Sequence, residues 1–214
     1  MKKRIFVTAT NTDIGKTYTT SLLLKAFTAK GVRVGAVKLM ETGVVQNAPD
    51  ATLLLKILKE CNKEFEDVDV SQIVPITYEL PAAPYIASGK KTVDLDLLTR
   101  TIETIEKKCD LLIIEGAGGL YVPLDSQYMM IDMIKYFKAT ALLVTHCSLG
   151  CINDTLLSEK ALQRENIDYL SVFNCKGNEE SFSKVSEPYF IDTRENILKV
   201  DDDIDTICDV LYNL

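Results

Sequence analysis

The chain has 214 residues, of which 47% are hydrophobic and 26% are charged, and its formal net charge is −7. A domain of this length buries enough apolar surface to fold without a disulfide or metal, and its negative charge argues against non-specific nucleic-acid binding. The one histidine, His146, excludes a zinc site built on several histidines and leaves one position for the base of a Ser/His/Asp triad. The chemistry of this protein must therefore rely on lysines, carboxylates, hydroxyls and backbone amides.

The N-terminus and the cysteines predict a cytoplasmic protein. The apolar run after the basic residues at 2–4 is too short for a signal peptide, and no segment reaches the apolar length of a membrane span. The six cysteines include no CxxC pair, which predicts reduced thiols. No repeat or linker divides the chain, so we expect one domain over residues 1–214.

Short apolar runs alternate with amphipathic stretches along the chain. Because the runs are apolar throughout, they are typical of parallel strands covered on both faces. In chain order, the predicted elements are a strand at 4–8, a helix at 16–30, a strand at 34–38, helices at 50–61 and 94–108, strands at 111–115 and 141–145, a helix at 153–165, a strand at 169–174 and a helix at 202–212. This alternation predicts right-handed βαβ units and a three-layer, doubly wound, mostly parallel sheet with helices on both faces.

Three helix ends carry recognisable signals. Asp94 and Asn153 are predicted as N-caps, because short polar side chains accept hydrogen bonds from the first amides of a helix. Gly31 is predicted as the glycine that follows the first helix. The stretch at 182–199 has no clear pattern.

The first predicted strand leads directly into a loop and helix with phosphate-binding features. The segment reads Ala9-Thr-Asn-Thr-Asp-Ile-Gly-Lys-Thr17. Amides at a helix N-terminus bind phosphate, Lys16 can reach the β and γ phosphates, and the Thr17 hydroxyl can bind Mg²⁺. The usual first glycine of a P-loop falls at Thr10, or at Ala9 in a longer loop, so the match is imperfect. The alternative is a plain helix start with Lys16 and Thr17 on the surface, and the agreement of strand, loop and helix favours the P-loop.

Polar residues also follow the other predicted strands, and ligands of open parallel sheets bind beyond the carboxyl ends of the strands. Glu115 ends the third strand, where P-loop proteins carry a Mg²⁺-binding acid, although a charged residue before a turn is the alternative. Lys38 ends the second strand, where it is either a solvated lysine or a cation for transferred phosphate. Asp50 starts a helix, and the spacing does not choose between an N-cap and a metal ligand. We interpret His146 as structural or peripheral rather than catalytic.

Five motifs occur in an order that is typical of one enzyme family. Residues 8–17 resemble its phosphate loop TGTDTxVGKT, residues 38–43 its KPxxSG segment, and residues 80–84 its proline-rich substrate loop. Glu115-Gly-Ala-Gly-Gly119 matches its EGAGG motif, and Leu149-Gly-Cys-Ile-Asn153 matches its LGCIN motif. On these motifs, which cover about residues 4–175, the chain resembles the dethiobiotin synthetases. Residues 176–199 do not match the family pattern.

The resemblance implies a P-loop ligase of biotin biosynthesis that uses 7,8-diaminopelargonate, CO₂ or bicarbonate, and ATP, with Mg²⁺ as cofactor. One substrate amine would take up CO₂ as a carbamate, which attacks the γ-phosphate to give a carbamic–phosphoric anhydride. The second amine would then close the ring and expel phosphate. The resemblance also implies a homodimer with the site at its interface, and neither nucleic acid nor membrane as a partner. Because the segment after Asn174 departs from the family, GTP and CTP stay open as alternatives to ATP.

The resemblance also implies roles for individual residues. The residues that act on the carbamate and phosphate are Lys16, Lys38, Thr12 and Thr42. The Mg²⁺ ligands are Thr17, Asp50 and Glu115. The nucleotide-binding residues are Asp13, Ile14, Gly15, Lys16, Thr17, Tyr18, Glu115, Gly118 and Asn174. The residues that bind the substrate carboxylate across the dimer interface are Leu149, Gly150, Cys151, Ile152 and Asn153.

A partitioning-type P-loop ATPase, which acts as a nucleotide-dependent dimer switch, is the second hypothesis. Such proteins usually carry a lysine early in the loop, at the position of Asn11 in this chain. The chain lacks that lysine, and its net charge indicates no basic surface for DNA. The sequence therefore favours the synthetase.

Overall fold

A five-stranded sheet, in which every strand is parallel to its neighbours, forms the centre of the computed structural model, which describes residues 3–214. Its strands are β1 (Lys3–Ala9), β2 (Val34–Lys38), β5 (Leu111–Gly119), β6 (Thr140–His146) and β7 (Tyr169–Asn174). They lie in the order β2-β5-β1-β6-β7. A separate two-stranded sheet pairs β3 (Glu41–Thr42) with β4 (Thr77–Tyr78). All five predicted strands are confirmed, and β2 and β7 have the predicted limits. The prediction that Glu115 ends its strand is wrong, because β5 continues for four residues to Gly119.

Helices connect these strands. In residues 3–214 they are α1 (Lys16–Ala29), α2 (Pro49–Cys61), α3 (Val70–Ile73), α4 (Pro84–Ala87), α5 (Leu95–Glu106), α6 (Met130–Tyr136), α7 (Cys151–Arg164), α8 (Glu179–Val185), α9 (Glu187–Thr193) and α10 (Ile204–Asn213), with a short 3₁₀ helix at Lys63–Phe65. The five predicted helices are confirmed to within two residues at each end. Between residues 3 and 214, no helix combines the length and the apolar character needed to cross a membrane.

The direction of each crossover places helices on both faces of the sheet. The β1–β2 connection runs through α1 towards one edge, whereas the β5–β6 and β6–β7 connections run through α6 and α7 towards the other edge. Because such crossovers are right-handed, α1 lies on one face and α6 and α7 lie on the other. Helix α10 packs against α1. The fold is the predicted three-layer, doubly wound α/β fold.

The glycines after Glu115 allow the core to pack closely against the end of β5. A Cβ atom at Gly116 would lie 2.8 Å from the ring of Phe6, and one at Gly119 would lie 3.2 Å from the backbone oxygens of Ala9 and Thr10. Phe6 is fully buried. Small residues are therefore needed here because neighbouring strands and rings approach the backbone.

The predicted helix ends have different outcomes. Asp94 caps α5 through a 2.8 Å hydrogen bond from the amide of Leu97, and Gly31 follows α1 with φ of 79°. The prediction of Asn153 as an N-cap is wrong. Helix α7 begins at Cys151, and its N-cap is Gly150, with φ of 100°. Because glycine adopts this left-handed conformation without a Cβ clash, the N-cap lies three residues earlier than the side-chain signal indicates.

The prediction that the cysteines are all reduced thiols is wrong for two of them. Cys147 and Cys175 form a disulfide, with their Cα atoms 4.8 Å apart. They follow His146 and Asn174, which are register partners at the ends of β6 and β7. Parallel strand pairing therefore brings together two cysteines that are 28 residues apart in sequence. We call the small core around them the aromatic–disulfide cluster, which consists of Cys147, Cys151, Phe173, Cys175, Phe182 and Phe190.

Candidate active site

The loop between β1 and α1 borders a cavity of about 340 Å³ at the carboxyl edge of the sheet. The cavity is lined by Thr12, Asp13, Gly15, Lys16, Thr17, Tyr18, Lys38, Met40, Glu41, Thr42, Asp50, Ala117 and Gly118. Asp13 and Gly15 have φ of 58° and 96°. A Cβ atom at Gly15 would lie 2.1 Å from the side-chain nitrogen Nδ2 of Asn174, so only glycine fits at this point of the loop. The structure thus brings most of the predicted site residues together.

Lys16 lies inside the loop and has little solvent around it. The residue is 7% exposed, and its Nζ donates a 3.2 Å hydrogen bond to the carbonyl oxygen of Asn11. Burial, together with the nearby positive charge of Lys38, lowers the pKa of Lys16 to about 8. The loop therefore holds a cation that lacks a carboxylate hydrogen-bond partner and is available to an anionic ligand.

Lys38 lies between two carboxylates in what we call the lysine–carboxylate cluster, defined as Lys38, Asp50 and Glu115. Its Nζ is 2.7 Å from Oδ2 of Asp50 and 2.5 Å from Oε1 of Glu115. The Thr17 hydroxyl donates to the same Glu115 oxygen at 2.7 Å. Burial lowers the pKa of Lys38, but the charges of Glu115 and Asp50 and the hydrogen bonds to them outweigh burial and raise it above the ordinary value. The ammonium group therefore stays charged inside the protein.

Glu41 has a role that the sequence analysis missed. Its two carboxylate oxygens accept hydrogen bonds from the amides of Asp50 and Ala51, both at 3.0 Å. This side chain caps α2 from another element, so the N-cap alternative for Asp50 is wrong and its carboxylate is free to bind Lys38. A signal was present, because Ala48, at the N-cap of α2, has no side-chain acceptor of its own.

A second cavity of about 530 Å³ adjoins the first and shares Thr12, Asp13, Thr42, Ala117 and Gly118 with it. Its other wall is formed by residues 81–84, the segment predicted as a substrate loop, together with Val122. The wall is largely apolar, whereas the first cavity carries the lysines. The arrangement suits a ligand with a polar end and an aliphatic chain.

Asn174 connects the end of β7 to the phosphate loop. Its side-chain nitrogen Nδ2 donates to the carbonyl oxygen of Ile14 at 2.8 Å, and its Oδ1 is buried without a hydrogen-bond partner. Tyr18 is hydrogen-bonded to Asp201, and Nζ of Lys176 lies 4.5 Å from the centre of the Tyr18 ring. Lys176 comes from the segment at 176–199 that did not match the family pattern, and Asp201 follows that segment closely. A β-bridge between Phe173 and Lys199 places this part of the chain here.

The turn at 149–153 lies at the same edge of the sheet but lines neither of these two cavities. Leu149 is 84% exposed. His146 braces the turn, because its Nδ1 lies 2.6 Å from the Ser148 hydroxyl and its Nε2 lies 3.0 Å from Oδ2 of Asp154. These contacts agree with a structural role for His146.

The three predicted metal ligands fit a hard divalent cation. Thr17, Asp50 and Glu115 supply oxygen atoms, which Mg²⁺ prefers, and Oε2 of Glu115 is buried without a hydrogen-bond partner. Over residues 3–214, no group of three or more His, Cys, Asp or Glu side chains is placed to hold a metal. The set present therefore suits an ion whose remaining ligands come from nucleotide phosphates and water.

Fold and site together define a P-loop NTPase. The ParA family ATPase from Chlorobium tepidum TLS superposes with a TM-score of 0.53 at 12% identity, covering 100% of this chain and 93% of that one. A plasmid partition protein from Borrelia burgdorferi has the same TM-score and identity and covers 100% of this chain and 97% of its own. At such identity the likeness concerns the fold alone.

Sequence relatives identify the family within this class. The protein named ATP-dependent dethiobiotin synthetase BioD in Sulfurovum sp. (strain NBC37-1) is 44% identical over 186 residues, covering 87% of this chain and 89% of its own length. The protein of that name in Wolinella succinogenes is 36% identical over 214 residues, with 99% of both chains covered. A family model described as an AAA domain matches residues 3–208. The chain belongs to the dethiobiotin synthetase family, and residues 176–199 have a counterpart in the Wolinella relative.

Proposed function

We propose that this chain is an ATP-dependent dethiobiotin synthetase, which converts 7,8-diaminopelargonate, CO₂ and ATP to dethiobiotin, ADP and phosphate in biotin biosynthesis. The observation that carries this proposal is the pair of adjoining cavities that share Thr12, Asp13 and Thr42. One is lined by the phosphate loop and two lysines, and the other by the proline-rich loop. We assign the triphosphate to the first cavity and the diamine to the second.

The proposed reaction has three steps. One amine of the substrate adds to CO₂ and loses a proton, which gives a carbamate. A carbamate oxygen then forms a bond to the γ-phosphorus while the bond to the bridging oxygen of ADP breaks. The second amine attacks the carbamoyl carbon, loses a proton and expels phosphate, which closes the ring. Because none of these steps needs an imidazole, alignment and charge neutralisation carry the catalysis.

The residues around the shared wall have matching roles in this proposal. Lys16 and Lys38 stabilise the negative charge that develops on the transferred phosphoryl group and the carbamate. The triphosphate raises the pKa of Lys16 again, because an opposite charge nearby favours the protonated form. The hydroxyls of Thr12 and Thr42 hold the carbamate and the reacting amine, since both residues border the two cavities.

We assign Mg²⁺ to Thr17, Asp50 and Glu115, where bound Mg²⁺ would neutralise phosphate charge. The remaining nucleotide contacts are assigned to Asp13, Ile14, Gly15, Tyr18, Gly118 and Asn174, the set that surrounds the phosphate loop. The unpaired Oδ1 of Asn174 is an acceptor, which suits a base that carries an amino group, as adenine, guanine and cytosine all do. GTP and CTP stay as comparisons for the assay.

We propose that residues 149–153 bind the substrate carboxylate of the other subunit in a homodimer. A turn that lies outside both cavities of its own chain fits a site completed by a second copy, and the start of α7 favours an anion. The exposed side chains of Leu149, Tyr121 and Leu157 would be covered by that copy. We further propose that residues 1–214 act as one domain and that the protein works in the cytoplasm, where ATP and bicarbonate are available.

Phosphate release and dethiobiotin formation test the proposal. We expect ATP to be hydrolysed at a substantial rate only when both 7,8-diaminopelargonate and bicarbonate are present, with dethiobiotin detected by mass spectrometry. Phosphate release that is unchanged when both are omitted would contradict the proposal and would favour a nucleotide-dependent switch. Repeating the assay with GTP, CTP and UTP measures the nucleotide preference.

A further inference from the structure

The proposed metal site already contains a cation that belongs to the chain itself. Nζ of Lys38 is bonded to Asp50 at 2.7 Å and to Glu115 at 2.5 Å, and these are the two carboxylates assigned to Mg²⁺. The Lys38 side chain is 4% exposed and the Glu115 side chain is fully buried. The register of β2 and β5 places Lys38 directly opposite Glu115, so the pairing follows from the sheet.

Lys38 and a divalent cation compete for the same two carboxylates. Mg²⁺ binds oxygen at about 2.0–2.1 Å in near-octahedral geometry, whereas the ammonium nitrogen lies 2.5–2.7 Å from the same carboxylates. Two cations held by the same two carboxylates at these distances would repel each other. Each cation therefore weakens the binding of the other to Asp50 and Glu115.

We propose that Lys38 neutralises Asp50 and Glu115 in the metal-free protein and that binding of Mg²⁺ displaces its ammonium group, which frees it for the transferred phosphate. A lysine can make this change because its charge is carried on a flexible four-carbon chain with three rotatable donors. The assignment of the freed group to phosphate rests on the proposed function. The exchange of one cation for another does not.

This exchange links two tasks that the site must perform. Without metal, the buried carboxylate of Glu115 keeps a counter-ion, so the folded protein avoids the cost of an unpaired buried charge. With metal, the same lysine becomes available on the cavity side, so that phosphoryl transfer is coupled to metal loading. Lys16 is different, because its hydrogen bond goes to the carbonyl oxygen of Asn11 and the metal ligands do not hold it.

Calorimetric titration of Mg²⁺ alone, without nucleotide, tests the exchange. We expect Lys38→Met to bind Mg²⁺ about tenfold or more tightly than the wild type, because the competing cation is gone. Lys16→Met is the matched control, since it removes the same charge from the same cavity but no carboxylate contact, and its effect should be clearly smaller. Equal affinity in Lys38→Met and the wild type, an equal gain in both variants, or no binding by either variant would overturn the proposal.

A measurement on the wild type keeps the test valid if Lys38→Met does not fold. In protein labelled with ¹³C at lysine Cε, the Lys38 signal is assigned by comparison with Lys38→Arg. It should shift when Mg²⁺ is added, and the Lys16 signal should shift less. A Lys38 signal that stays unchanged at high Mg²⁺ concentration would overturn the exchange. Failure of the phosphate-release assay would instead remove only the assigned role at phosphate.

Discussion

Two neighbouring clusters at the ligand edge of the sheet are held by different interactions. At the end of β2 and the middle of β5, the lysine–carboxylate cluster buries one positive and one negative side chain almost completely, at 4% and 0% exposure. Beyond β6 and β7, the aromatic–disulfide cluster packs Phe173 against Phe190 and Phe182 with ring centres 4.7 and 5.1 Å apart, beside the disulfide.

The difference shows how one sheet edge divides its tasks. Buried charges cost desolvation energy and are retained where an anionic ligand needs them. Aromatic packing and a covalent bond stabilise the protein without charge, and here they hold Asn174 and the start of the 149–153 turn in place. We therefore expect substitution of the cation that faces the ligand, Lys16, to change activity more than stability. Substitutions in the aromatic–disulfide cluster should do the reverse.

The largest effect should come from Lys16, the cation of the phosphate loop. Lys16→Met should lower kcat/KM for ATP by about 10²–10³-fold, because it removes charge stabilisation from the transition state. Steady-state phosphate release with all substrates measures this. Lys25→Met, on an exposed position of α1, is the control and should leave kcat/KM unchanged. A loss under tenfold for Lys16→Met would contradict the assigned role.

Removal of the disulfide is the corresponding test of the aromatic–disulfide cluster. Cys147→Ser should lower the free energy of unfolding by about 3 kcal/mol, because the disulfide closes a loop with a sequence separation of 28 in the unfolded chain. Urea denaturation measures the change, and dithiothreitol should destabilise the wild type similarly while leaving the variant unchanged. Cys61→Ser, at a free cysteine, should have little effect. Equal stability of the two variants would contradict the comparison.

Substitution of the buried Lys16 should raise the free energy of unfolding, whereas loss of the disulfide should lower it. Because the pKa of Lys16 falls to about 8 in the folded protein from an ordinary value of 10.5, its charge opposes folding fully below pH 8. Between pH 8 and 10.5 the unfolded chain binds more protons, so this penalty shrinks as the pH rises. Lys16→Met should therefore stabilise the ligand-free protein at pH 7 by at most about 3 kcal/mol.

Urea denaturation at several pH values measures this gain. The advantage of Lys16→Met over the wild type should decrease from pH 8 to pH 10, whereas Lys25→Met should show no such trend. A difference between Lys16→Met and the wild type that does not change with pH would show that the buried charge is not its cause.

The smallest expected effects come from Asp94, which caps a helix, and Asn153, which is proposed to contact the substrate. Asp94→Ala should cost about 1 kcal/mol of stability, because it removes the cap of α5. Asn153→Ala should change stability by less than about 0.5 kcal/mol, since Asn153 does not cap α7. It should raise KM for 7,8-diaminopelargonate about tenfold, and clearly more than KM for ATP. An equal rise in both KM values would argue against substrate contact at Asn153.

Local patterns were sufficient for the main elements of the fold. The limits of β2 and β7 followed from uniform apolar runs, and Asp94 was found as a cap because its hydrogen bond reaches only three residues along the chain. Helices α8 and α9 were not found, because they have seven residues each and too few turns for a clear periodicity. Strands β3 and β4, with two residues each, carry no pattern at all.

The sequence by itself determined the main strands, the phosphate loop, and the position of Lys38 at the end of β2, because each depends on neighbours within one element. Only the tertiary structure decided which partners these groups take. Glu41 caps α2, Cys147 bonds to Cys175, and Asn174 reaches Ile14 across 160 residues of chain. Such contacts depend on where separate elements meet in space, and a local pattern of residues carries no information about that meeting.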